Sequence, residues 1–383
     1  MTSGVSIVIP SWNGLELLKR FLPSVIDAAT RYTAQSQSPT EILVVDDGSV
    51  DESVAWLQGQ GFVEVGEEQR GGGEKEKGRE GDGEMGRGAS TLNLRLIRNR
   101  SNRGFGETCN RGFGAASYPL VFLLNNDVEV DVNSIAPLVE NFADDSVFAA
   151  HCRVFELNST HECGTGKLGG FSRGFIRVHR SYVPRPVIDE RASGHEPDIH
   201  RASLYSMFAG GGSSMFDRRK FLEIGGFSSL LSPFYWEDVE ISYRAWKRGY
   251  TVLYEPRSVA RHRLSSTIGK LDRRKIRKIE QRNRLIYHWI HLHDRSLMAS
   301  HIFWVALLAV TAPLRLKPSF ISSCLAALKR LPEIRQRRLE ERRAAVRSDS
   351  SLFDIFAVLE KRAEVIAYDE YDELEKKSVV SSP

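Results

Sequence analysis

The chain has 383 residues, room for one large domain with an appendage or for two domains. With 41% hydrophobic and 27% charged residues, it has the make-up of a folded globular protein rather than a disordered chain. A net charge of +4 is too small to imply a nucleic-acid partner, and four scattered cysteines with no C-x-x-C pair argue against a disulfide framework and for a reducing compartment.

The opening apolar stretch, Val5 to Pro10, lacks a basic leader and is short for a secretory signal, so none is expected. It reads instead as a buried strand, as do Ile42–Val45, Leu92–Ile97 and Leu120–Leu124. Between the first two, Leu15, Leu18, Leu22, Val25 and Ile26 recur at helical spacing. Strand, helix and strand in alternation predict an α/β fold, with a parallel sheet wound by right-handed crossovers. The first two strands end in polar turns that carry Asn13 and the pair Asp46–Asp47. Ligands of open α/β sheets sit outside the carboxyl ends of such strands, so these residues predict a crevice.

Further along, Gly66 to Ser90 is nearly all Gly, Glu, Lys and Arg, and reads as a disordered surface insertion. His151 to Ser203 is rich in Gly and Pro and is expected to form a long loop. Within it, His151, Cys152, His161 and Cys163 match no common structural-zinc spacing. Gly210-Gly211-Gly212-Ser213-Ser214 then leads into a short strand or turn and a helix, Arg218–Ile224.

From about Ser265 the character changes. Basic residues from Lys270 to Arg284 surround Ile276, Ile279, Ile286 and Ile290, and a second Arg-rich stretch runs from Lys329 to Arg347. Between them, the apolar run Ile302 to Leu314 is shorter than the ~20 residues of a spanning helix. Basic residues beside aromatic and aliphatic faces suit helices lying on an anionic membrane surface, and equally suit helices packed on a catalytic domain with a solvated basic face.

Four segments carry candidate chemistry. In Asn99–Gly112, Gly104 and Gly106 allow close backbone approach, and Asn102 and Asn110 supply donors and acceptors. The Asn125-Asn126-Asp127 turn after an apolar strand offers one carboxylate to a hard cation beside phosphates. Phe234-Tyr235-Trp236-Glu237-Asp238 places two acids in the first turn of a helix whose buried face holds Val239, Tyr243 and Trp246. Acids there suit the helix dipole in any case, but an aromatic run beside paired carboxylates also suits a sugar. Finally, His262 closes the short strand before Arg263.

In this order, the segments from Val5 to about Leu264 resemble glycosyltransferase family 2, whose members have the GT-A fold. Asn102-x-Gly104-Phe105…Asn110-x-Gly112 and the Gly-Gly-Phe…Trp-Glu-Asp run look most like its bacterial surface-polysaccharide branch, including rhamnosyl- and galactofuranosyltransferase-like members. The resemblance implies a GT-A domain over 1–265 and a basic, amphipathic helical C-terminal region over 266–383. It implies inverting transfer from a UDP-, dTDP- or GDP-sugar to a saccharide or lipid-linked acceptor in cell-envelope synthesis. The implied place is the cytoplasm, peripheral to the membrane.

By the same resemblance, Pro10, Asn13, Asp46, Asp47, Asn102, Gly104, Asn110 and Asn126 would bind the nucleotide sugar. Asp127 and His262 would hold Mg²⁺ or Mn²⁺. Asp238 would be the catalytic base beside Glu237, and Gly211, Gly212 and Trp236 would shape the acceptor side. Many relatives carry two acids where this chain has Asn125-Asn126-Asp127, so His262 and the donor phosphates would fill the missing positions. The rivals are a nucleotidyltransferase, which would want a Gly-rich basic loop where Ser11-Trp12-Asn13-Gly14 stands, and a non-catalytic sugar-binding scaffold.

Overall fold

Strand β1, Val5–Ser11, is buried along its whole length, as are β2, Thr40–Asp46, and β5, Leu120–Leu124. Runs of Val, Ile and Leu without polar alternation are what a strand covered on both faces requires. The computed structural model describes residues 4–66, 92–184, 204–263, 272–312, 319–362 and 365–367. The expected insertion, Gly66 apart, lies outside them, as does the 265/266 boundary.

The parallel half of the main sheet runs β3, β4, β2, β1, β5, with β3 at Val63–Glu64 and β4 at Asn93–Arg98. Helix α1, Leu15–Ser36, connects β1 to β2 and buries Leu18, Leu22, Val25 and Ala29 against them, at the spacing of one helical face. Ser11 pairs with Asp46, so the polar turns after β1 and β2 leave the sheet side by side.

The other half is mixed. Strand β11, Ser213–Asp217, is antiparallel to β5 and to β7, Val147–Glu156. Strand β12, Thr251–His262, runs parallel to β7 and antiparallel to β6, Val128–Val130. It is a twelve-residue strand, not the short one expected before His262.

The expected loop from His151 is also corrected over its described part. It forms the end of β7, then β8, Glu162–Gly164, β9, Gly166–Ser172, and β10, Phe175–Pro184. Its glycines are strand positions under close neighbours. A Cβ at Gly164, Gly166 or Gly169 would meet Val154, Tyr182 or Met207 at 2.7, 2.2 and 2.3 Å. The four cysteines are unpaired, and among the described residues no three His, Cys, Asp or Glu side chains form a metal-sized group.

Helix α6, Glu237–Lys247, shares a core with part of the chain that follows Arg273. Tyr243 and Trp246 lie in the same buried cluster as Tyr287, Leu292, Leu352 and Phe356. Among the described residues no helix is long and apolar enough to cross a membrane.

Candidate active site

The turns at Asn13, Asp47, Gly104, Asn125, Gly211 and Pro233 meet at the carboxyl end of the parallel strands. The Asp47 N–H donates to the Ser11 carbonyl at 2.7 Å, and Asn126 Nδ2 donates to Ser11 Oγ at 3.0 Å. Asn13, with φ of 47°, receives the Val50 N–H on its Oδ1 at 2.8 Å, while its own N–H goes to Ser49 Oγ. The Asn125 N–H reaches the Gly212 carbonyl at 3.0 Å, and the Gly211 N–H reaches Asp238 Oδ2 at 3.3 Å. On the other flank, the Gly104 N–H donates to Asp47 Oδ2 at 3.0 Å, and the Phe105 N–H to the Pro233 carbonyl at 3.3 Å. Pro233 leads directly into Glu237 and Asp238. The contacts thus close a ring through Asp47, Gly104, Pro233, Asp238, Gly211, Asn125, Asn126 and Ser11.

Glycine is required twice on this ring. Gly104 has φ of 88° and stands against Pro233, and a Cβ at Gly212 would lie 2.5 Å from the Asn125 amide.

Asp47 is buried, and its carboxylate accepts from Asn99 Nδ2 at 2.7 Å and from the N–H groups of Arg103 and Gly104. It orders the 102–104 turn that precedes helix α3, Phe105–Ala115. Asn102 Oδ1 reinforces that turn by accepting from the Gly104 N–H at 3.1 Å. Asp46 accepts from the Ser49 N–H, while its enclosed Oδ1 has no partner among the described residues. Asn110 sits inside α3, with its amide closed on the Phe227 backbone in both directions, at 2.9 and 2.8 Å. Pro10 is buried within β1.

Asp127 and His262 meet directly, Nε2 to Oδ1 at 3.0 Å, because β12 and β6 pair His262 with Val128. The Arg263 N–H also donates to the Asp127 carbonyl. One carboxylate and one imidazole form a donor set that fits a divalent cation whose remaining positions go to phosphate and water.

Glu237 and Asp238 open α6 after two consecutive left-handed aromatics, Tyr235 at φ 71° and Trp236 at φ 77°. Each such residue costs about 1–3 kcal/mol, so the surroundings must hold the turn. Asn283 does so from helix α7, Arg273–His291, by donating to the Phe234 and Tyr235 carbonyls at 2.9 Å each. The Trp236 ring packs inward, 5.3 Å from Tyr287, with the Arg284 guanidinium 5.8 Å from its centre.

Asp238 accepts from the Val239 and Gly211 N–H groups, whereas the enclosed Oε2 of Glu237 has no partner among the described residues. Burial pushes Asp238 above the usual carboxylate range. Burial and then the Asp238 charge push Glu237 further, to about 8. Beneath them Glu240 is held down at about 2: burial opposes its charge, but Arg244 and His291 outweigh it.

Asn99, Asn125 and Asn283 were not singled out from sequence. The first two lie inside quoted motifs and could have been. Asn283 stands in a basic run, where no local signal separates it from its neighbours.

A family model described as "Glycosyl transferase family group 2" matches residues 120–332, more than half of the chain, and "Glycosyl transferase family 2" matches residues 6–71. The chain is 25% identical over 176 residues to N-acetylgalactosaminyltransferase 7 of Drosophila melanogaster, a match spanning 44% of this chain but only 29% of that protein. Among solved structures, GalNAc-T7 with UDP, GalNAc and Mn²⁺ superposes with a TM-score of 0.52 at 19% identity, over 81% of this chain and 58% of that one. A mannosyltransferase from Pyrobaculum calidifontis in complex with GDP-Man and Mn²⁺ gives 0.47 at 15% identity, over 94% and 87%. The fold is that of the GT-A glycosyltransferases.

Proposed function

The chain belongs to the glycosyl transferase family 2 group, and from that premise we propose that it moves a sugar, with inversion, from a nucleotide-diphosphate donor to an acceptor hydroxyl. The observation that carries this reading is the ring of contacts. It sets the nucleotide-side turns, the Asp127–His262 pair and the Glu237–Asp238 pair around one place.

In this reading the base and ribose lie by the turns at Asn13, Asp46 and Asp47, where the free Oδ1 of Asp46 can take a donor. The Asn102–Gly104 turn borders the same place. Asp127 and His262 would hold Mg²⁺ or Mn²⁺. A divalent ion supplies charge neutralisation for a departing nucleoside diphosphate.

Of the two half-buried acids, Glu237 keeps its proton more firmly, since among the described residues nothing donates to its enclosed Oε2. Asp238, with two N–H donors, is the one left ionised to accept the acceptor's proton. General-base help of this kind is worth about 10²–10⁴-fold. Gly211 and Gly212 border the acceptor side, and Trp236 shapes it from behind, through the turn that its inward-packed ring braces. The acceptor is a saccharide or lipid-linked saccharide of the cell envelope, met at the cytoplasmic face of a membrane.

The test is metal-dependent hydrolysis of UDP-, dTDP- and GDP-sugars by the purified chain, with nucleotide binding by calorimetry. One donor class should release its nucleoside diphosphate slowly. Asp127→Ala should weaken metal-dependent nucleotide binding by about ten-fold or more, the scale at which a ligand group counts. Unchanged nucleotide affinity in that variant would remove Asp127 from the metal site.

A further inference from the structure

Helix α8, Arg295–Thr311, is apolar on both faces, yet it buries only one of them. His301, Trp304, Val305 and Leu308 turn inward. His301 Nδ1 donates to the Gly174 carbonyl at 2.6 Å, and the other three pack on the Phe175–Ile286 cluster. The outward stripe is Ile302, Phe303, Ala306, Leu307 and Val310, spaced to fall on a single helical face. Ile302, Phe303 and Val310 are 60, 63 and 76% exposed. A solvated helix face is normally polar, and from Ala299 to Val310 this one holds no polar side chain. Helix α9, Ser319–Leu328, which touches α8, likewise exposes Leu325 and Leu328, at 56 and 48%.

The surround is cationic. Exposed Arg173 adjoins Gly174, which lies against Trp304. Exposed Lys278 lies under α9, its carbonyl accepting from Ser323 Oγ at 3.2 Å, and exposed Lys329 follows Leu328. From Arg273 to Arg330 the described residues carry ten Lys and Arg against two acids, Glu280 and Asp294.

We propose that the outer face of α8 and α9 seats the protein on an anionic lipid surface. Ile302, Phe303, Leu307 and Val310 enter the boundary between headgroups and acyl chains, and Arg173, Lys278 and Lys329 meet lipid phosphates. Apolar burial combined with attraction to anionic headgroups is how interfacial helices bind. At seventeen residues α8 falls short of the ~20 that cross a bilayer, so it lies in the plane of the surface. A second copy of this chain is the poorer occupant, because a two-fold contact would set two rims of the same charge against each other. The seat deepens the proposed function, on which its purpose rests, by placing the site beside a lipid-linked acceptor. Its measurement needs no sugar donor.

The experiment is flotation of the full chain with phosphatidylcholine vesicles containing about a third phosphatidylglycerol, and with phosphatidylcholine alone. The anionic vesicles should carry about ten-fold more protein, and about 0.5 M NaCl should release most of it. Phe303→Glu and Val310→Glu should each cut the bound fraction about ten-fold while nucleotide-sugar hydrolysis stays at its wild-type rate. Lys278→Glu with Lys329→Glu is a second route to the same loss, should an apolar-face variant fail to fold. Absence of wild-type flotation on anionic vesicles, or flotation indifferent to these changes, overturns the proposal. So does a wild-type dimer by sedimentation that Phe303→Glu dissociates, which gives the face to a second copy. Failure of the transferase reading would appear in the hydrolysis assay alone and leave flotation untouched.

Discussion

The acid pair Asp46–Asp47 follows a parallel strand, whereas Glu237–Asp238 opens a helix after a strained turn. The first pair is buried and the second half-buried, and they are supplied with donors in different measure. Asp47 takes three N–H donors, which spend the carboxylate on ordering the 102–104 turn. Glu237 and Asp238 together receive two backbone donors, both on Asp238, and burial drives both acids up. A carboxylate rich in donors is a frame for its neighbours. One starved of donors keeps a high proton affinity, which is what proton transfer near neutral pH requires.

The sharpest way to break this contrast is Asp238→Asn. It keeps the shape and removes the proposed base, so turnover should fall about 10²–10⁴-fold with nucleotide affinity and melting temperature little changed. Steady-state rates beside calorimetric binding would show it, and near-normal turnover would take the base role from Asp238. Asp47→Ala should do the reverse. Asn99 Nδ2 and the Arg103 N–H lose this acceptor and the Gly104 N–H keeps only Asn102 Oδ1, at about 1–3 kcal/mol for each group left buried and unpaired. Nucleotide affinity should therefore drop about ten-fold or more, with a smaller change in the rate at saturation. A variant that binds nucleotide normally would mean that the 102–104 turn needs no such frame.

A smaller effect is expected at Asn283, which supports the acid pair from outside the sheet. Asn283→Ala leaves the Phe234 and Tyr235 carbonyls without their donor, at a cost of about 1–3 kcal/mol. The Trp236 turn should loosen, lowering kcat more than it changes the donor KM. Asn283→Asp removes the donating N–H groups while keeping size, and should lower kcat likewise. A loss of melting temperature with kcat intact would make Asn283 structural only.

Much of the parallel half was legible in sequence. Strands buried on both faces read as unbroken apolar runs, and their ends show as sudden Asn, Asp and Gly, which is why Asn13, Asp46, Asp47 and Asp127 stood out. The β8–β10 region was misread because Gly164, Gly166 and Gly169 look like turn residues. Their reason for being glycine is a side chain from a distant strand, which no local pattern shows. Asn283 was hidden in the same way, since its partners stand about fifty residues earlier. The acids of α6 were visible, but their environment was not. That Glu240 is paired with Arg244 and His291, while Glu237 is left alone, depends on which face of the helix meets α7.

The mildest test concerns Glu237 and stability rather than rate. An acid raised from 4.5 to about 8 binds a proton in the folded chain over a range where the unfolded chain has lost it. Folding then takes up a proton, so this group's contribution falls as pH rises from about 4.5 to about 8. Glu237→Gln cannot ionise and has no such slope. Its melting temperature should sit near the wild type's at about pH 5 and exceed it by a few degrees at about pH 8. Glu240, held at about 2 by Arg244 and His291, has the opposite sign: its stabilisation is present above 4.5 and fades only as pH falls toward 2. It therefore adds nothing to the window being compared. A Glu237→Gln difference that stays constant from about pH 5 to about pH 8 would show that donors reach Oε2 in solution, and the contrast between the two acid pairs would lose its physical basis.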